Sequence, residues 1–315
     1  MAAEQTFRAM GSDAHVIVVG GSGRLVDEAV ELIDDLERRW SRFLEDSEIS
    51  ELNRRAGSFV TVSGPTVLLI ERAVEAWRLT GGAFEPTVLG AMLRAGYDRS
   101  FELLGANVSA RHSLLGIGVA DIEIDGDRVC LPAGTGFDPG GIGKGLAADL
   151  VCAEMMAAGA EGICVNLGGD VRVCGVGPRE KGWTVAVEHP WSTQPMVLLG
   201  LADGAVATST TLRRRWQSDG QTRHHLIDPQ TGEPSDTDLT LTSVIAAEAW
   251  VAEVLAKAVL LAGSAHPFDI IGGTGAQAMA VDSLGGISAS PGFGEYHRPG
   301  ALAGPLDAVG LVFAG

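Results

Sequence analysis

The chain has 315 residues, of which 46% are hydrophobic and 20% charged, a balance typical of a compact globular protein rather than a disordered one. Its formal net charge of −17 disfavours a nucleic acid as partner, because an acidic surface repels a polyanion. An anionic ligand therefore needs local donors, and the run Arg213-Arg214-Arg215 is one local concentration of positive charge.

The first residues and the cysteines indicate the compartment. The N-terminus lacks the basic and apolar regions of a secretion signal, and no segment reaches the roughly 18 to 20 apolar residues that cross a bilayer. No two cysteines have the C-x-x-C spacing, and three of the four lie in apolar segments, so we predict buried thiols rather than disulfides or zinc ligands. We expect a cytoplasmic protein without membrane insertion.

The chain is predicted to open with a strand and a helix. The segment His15–Val19 is short and apolar, as in a buried strand, and residues 26–43 repeat apolar side chains at helical spacing. This spacing predicts an amphipathic helix of about five turns. Gly21 and Gly23 follow the strand, but Val26 stands where a dinucleotide-binding loop needs its third glycine, so we disfavour that fold.

The later elements follow no regular alternation of strand and helix. Helix start and stop signals bracket residues 63–82, and a hairpin with an Asp125-Gly126 turn is expected within residues 112–133. The other predicted elements are a loop at 83–87, a helix at 146–158, strands at 162–165, 171–174 and 183–187, a hairpin across Asp219-Gly220, a strand at 240–246, a helix at 247–262, and short strands at 277–281 and 309–313. Hairpins combined with a few long helices predict an α+β fold.

The segment His224–Gly232 places two imidazoles and a carboxylate beside a turn. Asp228 precedes Pro229 and therefore favours extended backbone, and Gly232 supplies a turn residue, so the histidines are predicted to end a strand and face a loop. Loops held by strands often carry functional residues. A hairpin end with solvated histidines explains the same residues, and the segment alone leaves both readings open.

A glycine-rich loop, Asp138–Gly145, leads into a predicted helix. It is not a P-loop, because Gly145 follows Lys144 where that motif needs a hydroxyl. Closely spaced glycines let backbone N–H groups approach a phosphate at the helix N-terminus, and Lys144 adds a positive charge. A tight strand-to-helix turn is the alternative reading of the same loop.

Seven segments, taken in chain order, resemble the FAD:protein FMN transferase family, the ApbE family, over residues 7 to about 263. The segments are Ala9-Met10-Gly11, Ser47–Asn53, Gly82–Val88, Asp138–Gly145, Asn166–Asp170, Ala207-Thr208-Ser209 and His225–Pro229. The resemblance implies one unit over residues 1–315, with mixed sheets and packed helices in two lobes around a central flavin site. Residues from about 266 to 315 are expected to pack back on this core.

The resemblance also implies a reaction and a set of site residues. FMN is moved from FAD to a threonine or serine hydroxyl of a target protein, AMP is released, and His225 is the acid–base residue. Mg²⁺ neutralises the pyrophosphate in such enzymes, and the positions expected to ligate it are Gly141 and Glu253. The residues implied to line the FAD site are Met10, Ala83, Phe84, Glu85, Asp138, Lys144 and Ile227.

Four positions depart from the family pattern, and one of them is Thr210, where the family usually has a glycine after Ala-Thr-Ser. Glu85 replaces an aspartate, and Glu253 and Lys257 stand where the metal-binding pattern has an aspartate and a threonine. A lysine ammonium has no lone pair with which to ligate Mg²⁺. Glu253 and Lys257 are four residues apart, so they can form an ion pair on one helix face. Our hypothesis is that the Lys257 ammonium takes the place of the metal and contacts the FAD pyrophosphate.

Two other functions compete with the transferase. The first is a non-catalytic FAD-binding protein, which the Glu253 and Lys257 departures favour. The second is an FAD pyrophosphatase, in which water replaces the hydroxyl acceptor and free FMN and AMP are formed.

Overall fold

The structure is a computed structural model that describes residues 2–104, 107–108, 113, 115–116, 118–179, 182–218, 220–298 and 311–312. Helices and mainly antiparallel sheets occur together, which confirms the predicted α+β class. The chain forms two compact units. Unit 1 comprises Met1–Asp34, Lys144–Leu212 and Thr237–Gly315, and unit 2 comprises Asp35–Gly143 and Arg213–Asp236.

The helices and strands are as follows. The helices are α1 (Leu25–Trp40), α2 (Glu48–Arg54), α3 (Gly64–Leu79), α4 (Leu89–Arg94), α5 (Gly143–Ala157) and α6 (Ala249–Ala262). The strands are β1 (Ala2–Ala9), β2 (Ser12–Val19), β3 (Val60–Thr61), β4 (Asn107–Val108), β5 (Glu123–Asp125), β6 (Arg128–Cys130), β7 (Gly162–Leu167), β8 (Asp170–Gly175), β9 (Trp183–Glu188), β10 (Pro195–Leu201), β11 (Gly204–Thr210), β12 (Arg215–Ser218), β13 (Gln221–His224), β14 (Ile227–Asp228), β15 (Glu233–Pro234), β16 (Leu239–Ala246), β17 (Gln277–Asp282), β18 (Ile287–Ala289) and β19 (Leu311–Val312).

Unit 1 is built on an eight-stranded sheet in the order β1-β2-β7-β8-β11-β16-β17-β18. All neighbouring strands in it are antiparallel. Strands β7 and β11 are buried at every residue, so both of their faces are covered. Leu241 and Ile245 of β16 pack in a core with Trp183 and Leu199 of the β9–β10 hairpin. Thr242, on the other face of β16, donates a 2.6 Å hydrogen bond to the carbonyl of Ala256 in α6.

Unit 2 contains helices α2, α3 and α4 and several short sheets. Its core includes Tyr97, which stacks on Trp216 with ring centroids 5.4 Å apart, and Trp216 Nε1 donates to the carbonyl of Ala95 at 2.7 Å. The start of α3 is held by Ser63, whose hydroxyl and N–H both donate to the Glu48 carboxylate at 2.8 and 3.0 Å. Strands β14 and β15 pair directly as a hairpin.

Most predicted elements are confirmed. The strand at 15–19, the helices at 26–43 and 63–82, the 122–131 hairpin and the loop at 83–87 are all present, and Cys152, Cys164 and Cys174 are buried thiols. Helix α5 begins at Gly143 rather than Leu146, because the end of the glycine-rich loop is wound into its first turn. The predictions that involve residues 112, 114, 117, 219, 309, 310 and 313 lie outside the described residues.

Some elements were not predicted. Strand β1 lies at the sheet edge, and its four polar and four apolar residues do not follow the alternation that marks a half-buried strand. Helices α2 and α4 have seven and six residues, too few to show a helical period. Strands β17 and β18 from the tail extend the main sheet of unit 1. Among the described residues, no helix combines the length and apolar character that a membrane span needs.

Candidate active site

Four charged side chains of unit 1 form a buried cluster at the start of α5. Lys144 forms an ion pair with Asp170, and its Nζ lies 3.7 Å from Glu253 Oε1. The same oxygen accepts a 3.1 Å hydrogen bond from Lys257 Nζ, so the ion pair expected from the i, i+4 spacing is formed. Burial by itself raises the pKa of Glu253, but the ammonium groups of Lys257 and Lys144 hold that pKa below its ordinary value. Glu253 is therefore a buried anion.

Helices α5 and α6 cap each other through carboxylates. Glu253 of α6 accepts a 2.8 Å hydrogen bond from the N–H of Gly145, and Asp149 of α5 accepts bonds of 2.9 Å from the N–H groups of Ala249 and Trp250. These are N–H groups of first helical turns, which have no partner within their own helix. A Cβ on Gly145 would lie 2.5 Å from the carbonyl oxygen of Ala249. Glycine is therefore required for the two helices to approach so closely.

The carboxyl group of Asp149 is expected to make stability depend on pH. Its burial raises its pKa to about 6, although the two N–H groups and Arg172 oppose this shift. The folded state thus holds the proton more tightly than the unfolded chain does. The resulting stabilisation is full below the ordinary aspartate pKa and is lost as the pH rises through about 6.

The Asp149→Asn variant tests this dependence, because it removes the titrating group. Between about pH 7 and pH 5 the free energy of unfolding of the unsubstituted chain should rise relative to this variant by about 1 kcal/mol. Denaturant unfolding at the two pH values measures the difference. The Asp269→Asn variant is the control, since that side chain is exposed, and it should show no such change. If the difference in free energy of unfolding between the unsubstituted chain and Asp149→Asn did not depend on pH, the raised pKa of Asp149 would be contradicted.

Met10 lies in the tight turn between β1 and β2. Ala9 and Ser12 pair across the turn, and both central residues have positive φ, +50° at Met10 and +66° at Gly11. Two-residue hairpin turns of this kind favour glycine, asparagine and aspartate, so a methionine there is strained. A strained residue at a tight turn suggests a role for its side chain.

The strain at Met10 can be measured by comparing two truncations. We expect Met10→Gly to be more stable than Met10→Ala by about 1 kcal/mol, because both lack the side chain but only glycine adopts positive φ without cost. Denaturant midpoints provide the comparison. Both variants should lose FAD affinity to a similar extent if the side chain contacts the flavin. Equal stabilities of the two variants would show that the turn is not strained.

Asp138 of unit 2 is held by a buried arginine. Arg42 Nε lies 3.0 Å from Asp138 Oδ2, and both side chains are less than one-tenth exposed. The N–H of Gly140 donates to the other carboxylate oxygen at 2.8 Å, and the N–H of Asp138 donates to the carbonyl of Pro86 at 2.8 Å. The last bond brings Asp138 beside the 83–87 loop. Two of the predicted FAD-binding segments therefore meet within unit 2.

The 83–87 loop is ordered by its own side chains. Glu85 is buried and accepts hydrogen bonds from the N–H of Thr87, at 2.9 Å, and from its hydroxyl. Burial raises the pKa of Glu85. Phe84 is buried, its N–H donates to the Thr80 hydroxyl at 3.0 Å, and Ala83 is half-buried. Glu85 thus holds the loop through its hydrogen bonds with Thr87. The sequence of the loop alone does not reveal this contact.

The two histidines differ in their surroundings. His224 ends β13; its Nδ1 accepts a 3.3 Å hydrogen bond from the N–H of Leu226, and its Nε2 donates to the carbonyl of Ser235 at 3.0 Å. Burial lowers the pKa of His224, so the ring is neutral and structural. His225 follows the strand and is half-buried, with Nδ1 shielded from solvent. Ile227 is buried in β14 within the core of unit 2.

Several site residues were not predicted. Asn53 and Asp170 lie inside the segments that resemble the family, and this position marks them as candidate site residues. The sequence alone did not assign either of them a role. The Asn53 amide brackets Phe137, accepting from its N–H at 2.7 Å and donating to its carbonyl at 2.9 Å. Arg42 had no sequence signal, because its partner comes from a distant part of the chain.

The predicted metal ligands can be located in the structure. Gly141 ends a short 3-10 turn, Pro139–Gly141, and is half-buried. Glu253 lies in the buried cluster of unit 1. Within the part of the chain that the structure describes, no three histidine, cysteine, aspartate or glutamate side chains are grouped so as to hold a metal ion.

Comparison with known proteins agrees with the motifs. The sequence matches the ApbE family over residues 10–280. An FAD:protein FMN transferase of Treponema pallidum is 29% identical in an alignment 264 positions long that covers 76% of this chain and 71% of the relative. One of Vibrio cholerae is 27% identical in an alignment 286 positions long that covers 88% of this chain and 84% of the relative.

Solved structures agree with the fold. The ApbE protein of Thermotoga maritima superposes with a TM-score of 0.85 at 27% identity, over 95% of this chain and 100% of that one. The flavin transferase ApbE from Vibrio cholerae gives a TM-score of 0.78 at 22% identity, over 94% and 99% of the two chains. The family match covers every residue predicted for the site, and the chain therefore belongs to the ApbE family.

Proposed function

We propose that this chain is an FAD:protein FMN transferase, which moves FMN from FAD to a threonine or serine hydroxyl of an acceptor protein and releases AMP. Membership of the ApbE family supports this, as do relatives named for the same activity. The observation that carries the proposal is the position of the Lys144 side chain. Lys144 lies at the end of the glycine-rich loop and in the first turn of α5, where a phosphate group is well bound, and its ammonium forms an ion pair with Asp170.

The chemistry requires one proton acceptor and a well-placed pyrophosphate. The acceptor hydroxyl attacks the phosphorus on the FMN side, a new P–O bond forms, and the bond to AMP breaks with its electron pair leaving on AMP. His225 takes the hydroxyl proton. The contacts of His224 support this choice, because both of its ring nitrogens already hold the backbone. In unit 2, Phe84, Glu85 and Asp138 are the residues proposed for FAD.

The transfer is tested with purified protein, FAD and a peptide that contains a candidate threonine. AMP is measured by chromatography and the mass of the peptide shows whether FMN is attached. We expect AMP and flavinylated peptide together, and loss of both in His225→Ala. His266→Ala is the matched control, because that histidine is exposed, and it should retain activity. Failure of His225→Ala to reduce AMP release would remove His225 from the reaction.

The same assay separates the competing functions. AMP with free FMN, and no modified peptide, identifies an FAD pyrophosphatase. Bound FAD without AMP identifies an FAD-binding protein. Of the two competing functions, the Glu253–Lys257 ion pair favours FAD binding over the pyrophosphatase.

We also propose a cytoplasmic location, which the four free cysteines support. The Mg²⁺ ion implied by the family needs the Glu253 carboxylate as a ligand, so the contacts of that carboxylate bear directly on the metal.

A further inference from the structure

Lysine is rare in this chain and is concentrated in one place. Of its 23 cationic side chains only three are lysines, Lys144, Lys181 and Lys257, and two of them belong to the buried cluster of unit 1. Arginine has a planar fork of donors, whereas a lysine ammonium is a compact point charge with three donors. The use of lysine at both positions, in a chain whose other cationic side chains are all arginine except Lys181, indicates that the cluster needs compact positive charges.

Both oxygens of the carboxylate at the centre of the cluster have hydrogen-bond donors. Glu253 is completely buried; its Oε2 accepts from the N–H of Gly145 at 2.8 Å, and its Oε1 accepts from Lys257 at 3.1 Å. Lys144 Nζ lies 3.7 Å from Oε1 and also pairs with Asp170. Each ammonium group of the cluster therefore already has a carboxyl partner. Glu253 also caps α5 through Oε2, which leaves for a metal the Oε1 atom that faces both lysines.

These residues do not fit Mg²⁺. That ion requires a nearly octahedral shell of oxygen ligands at short distance. Here a positive ammonium, which can only donate, occupies the place beside the Glu253 carboxylate. A divalent cation there would be repelled by Lys257 and by Lys144 at the same time. The replacement of a metal-binding threonine by Lys257, seen in the sequence, thus agrees with the contact between Lys257 and Glu253 in the structure.

The lysine side chains of the cluster are more exposed to solvent than its carboxyl groups. The side chains of Lys144 and Lys257 are 14% and 15% exposed, whereas those of Asp170 and Glu253 are 4% and 0% exposed. A ligand that approaches from solvent therefore meets the lysines before the carboxylates. This arrangement suits an anion and excludes a cation.

We propose that Lys257 supplies the positive charge for the FAD pyrophosphate in place of a divalent metal, so that the protein binds FAD without Mg²⁺. This inference rests on the proposed function for the identity of the ligand. Lys144 and Lys257 act together as a pair of ammonium donors, and Glu253 and Asp170 hold them in position. Binding of FAD without a metal ion thus depends on Lys144 and Lys257.

The first test is FAD affinity in protein stripped of metal with a chelator and dialysed. Calorimetric titration with FAD should give the same Kd, within about twofold, with and without added Mg²⁺. Lys257→Met keeps the aliphatic stem and leaves Glu253 bonded to Gly145 and near Lys144, and it should weaken FAD binding by about 10- to 100-fold. Arg8→Met, which removes an exposed cation of the same unit, is the control and should leave the Kd unchanged.

Two results of this titration would overturn the inference. One is a tightening of FAD binding by about tenfold or more on addition of Mg²⁺ to the unsubstituted protein. The other is an unchanged Kd in a folded Lys257→Met variant. If Lys257→Met does not fold, Lys257→Gln replaces it, since the amide retains a donor without the charge and should show the same direction of change.

A second measurement does not depend on FAD. Mn²⁺, used as the probe for a divalent site, is titrated into the ligand-free protein and followed by electron paramagnetic resonance. We expect no saturable site that depends on Glu253, and a site present in the unsubstituted protein but lost in Glu253→Gln would refute the inference. If the protein bound no FAD under any condition, the proposed function would fall, and the Mn²⁺ titration would still decide whether Glu253 is closed to metal.

Discussion

Replacement of Glu253 by leucine is expected to lower the free energy of unfolding by about 3 to 5 kcal/mol, because removing one partner of a buried ionic network leaves charge uncompensated. Lys257 loses its carboxylate, and the N–H of Gly145 loses its acceptor. The change is measured by denaturant unfolding at neutral pH, with circular dichroism to follow the helices. The effect is large because the carboxylate joins two helices and two ammonium groups.

Two companion variants separate the contributions at this site. Glu253→Gln keeps an oxygen for the Gly145 N–H and should therefore be less destabilising than Glu253→Leu. The double variant Glu253→Leu, Lys257→Leu should recover part of the loss, since apolar side chains of similar size often replace a buried ion pair at little cost. A cost below about 1 kcal/mol for Glu253→Leu would mean that the cluster relaxes or admits water.

Replacement of Arg42 by methionine is the second change with a large expected effect, again about 3 to 5 kcal/mol of destabilisation. It removes the buried cation beside Asp138, and it removes the guanidinium that lies 4.8 Å from the ring centre of Tyr97. Arg42 also donates to the carbonyl of Tyr97 at 3.1 Å. Because Tyr97 stacks on Trp216, tryptophan fluorescence should report the change together with denaturant unfolding.

The Arg8–Asp13 pair supplies a matched control for Arg42. Its two atoms are also 3.0 Å apart, but both side chains are more than half exposed. Arg8→Met should change the free energy of unfolding by less than about 1 kcal/mol, since water screens an exposed pair. Similar costs for Arg8→Met and Arg42→Met would show that burial does not strengthen the Asp138 contact.

Much of the fold was predictable because its signals are local. Apolar spacing defined α1, glycine and proline marked both ends of α3, and the Asp125-Gly126 turn identified the β5–β6 hairpin. The candidate site was predictable as a set of motifs, because glycine-rich loops and a histidine beside a turn are visible in a single sequence. The i, i+4 pair of Glu253 and Lys257 also follows from helix geometry alone.

The sequence by itself determined which residues share a helix face, which segments turn, and which family the motifs resemble. Only the tertiary structure decided how distant polar groups pair: the Lys144 ammonium with Asp170, 26 residues away, and the Gly145 N–H with Glu253, 108 residues away. The physical reason is that periodicity specifies the geometry within one element, whereas contacts between elements depend on the order of strands and the packing of helices. The contacts of Glu253 with Gly145 and Lys144 arise from that packing.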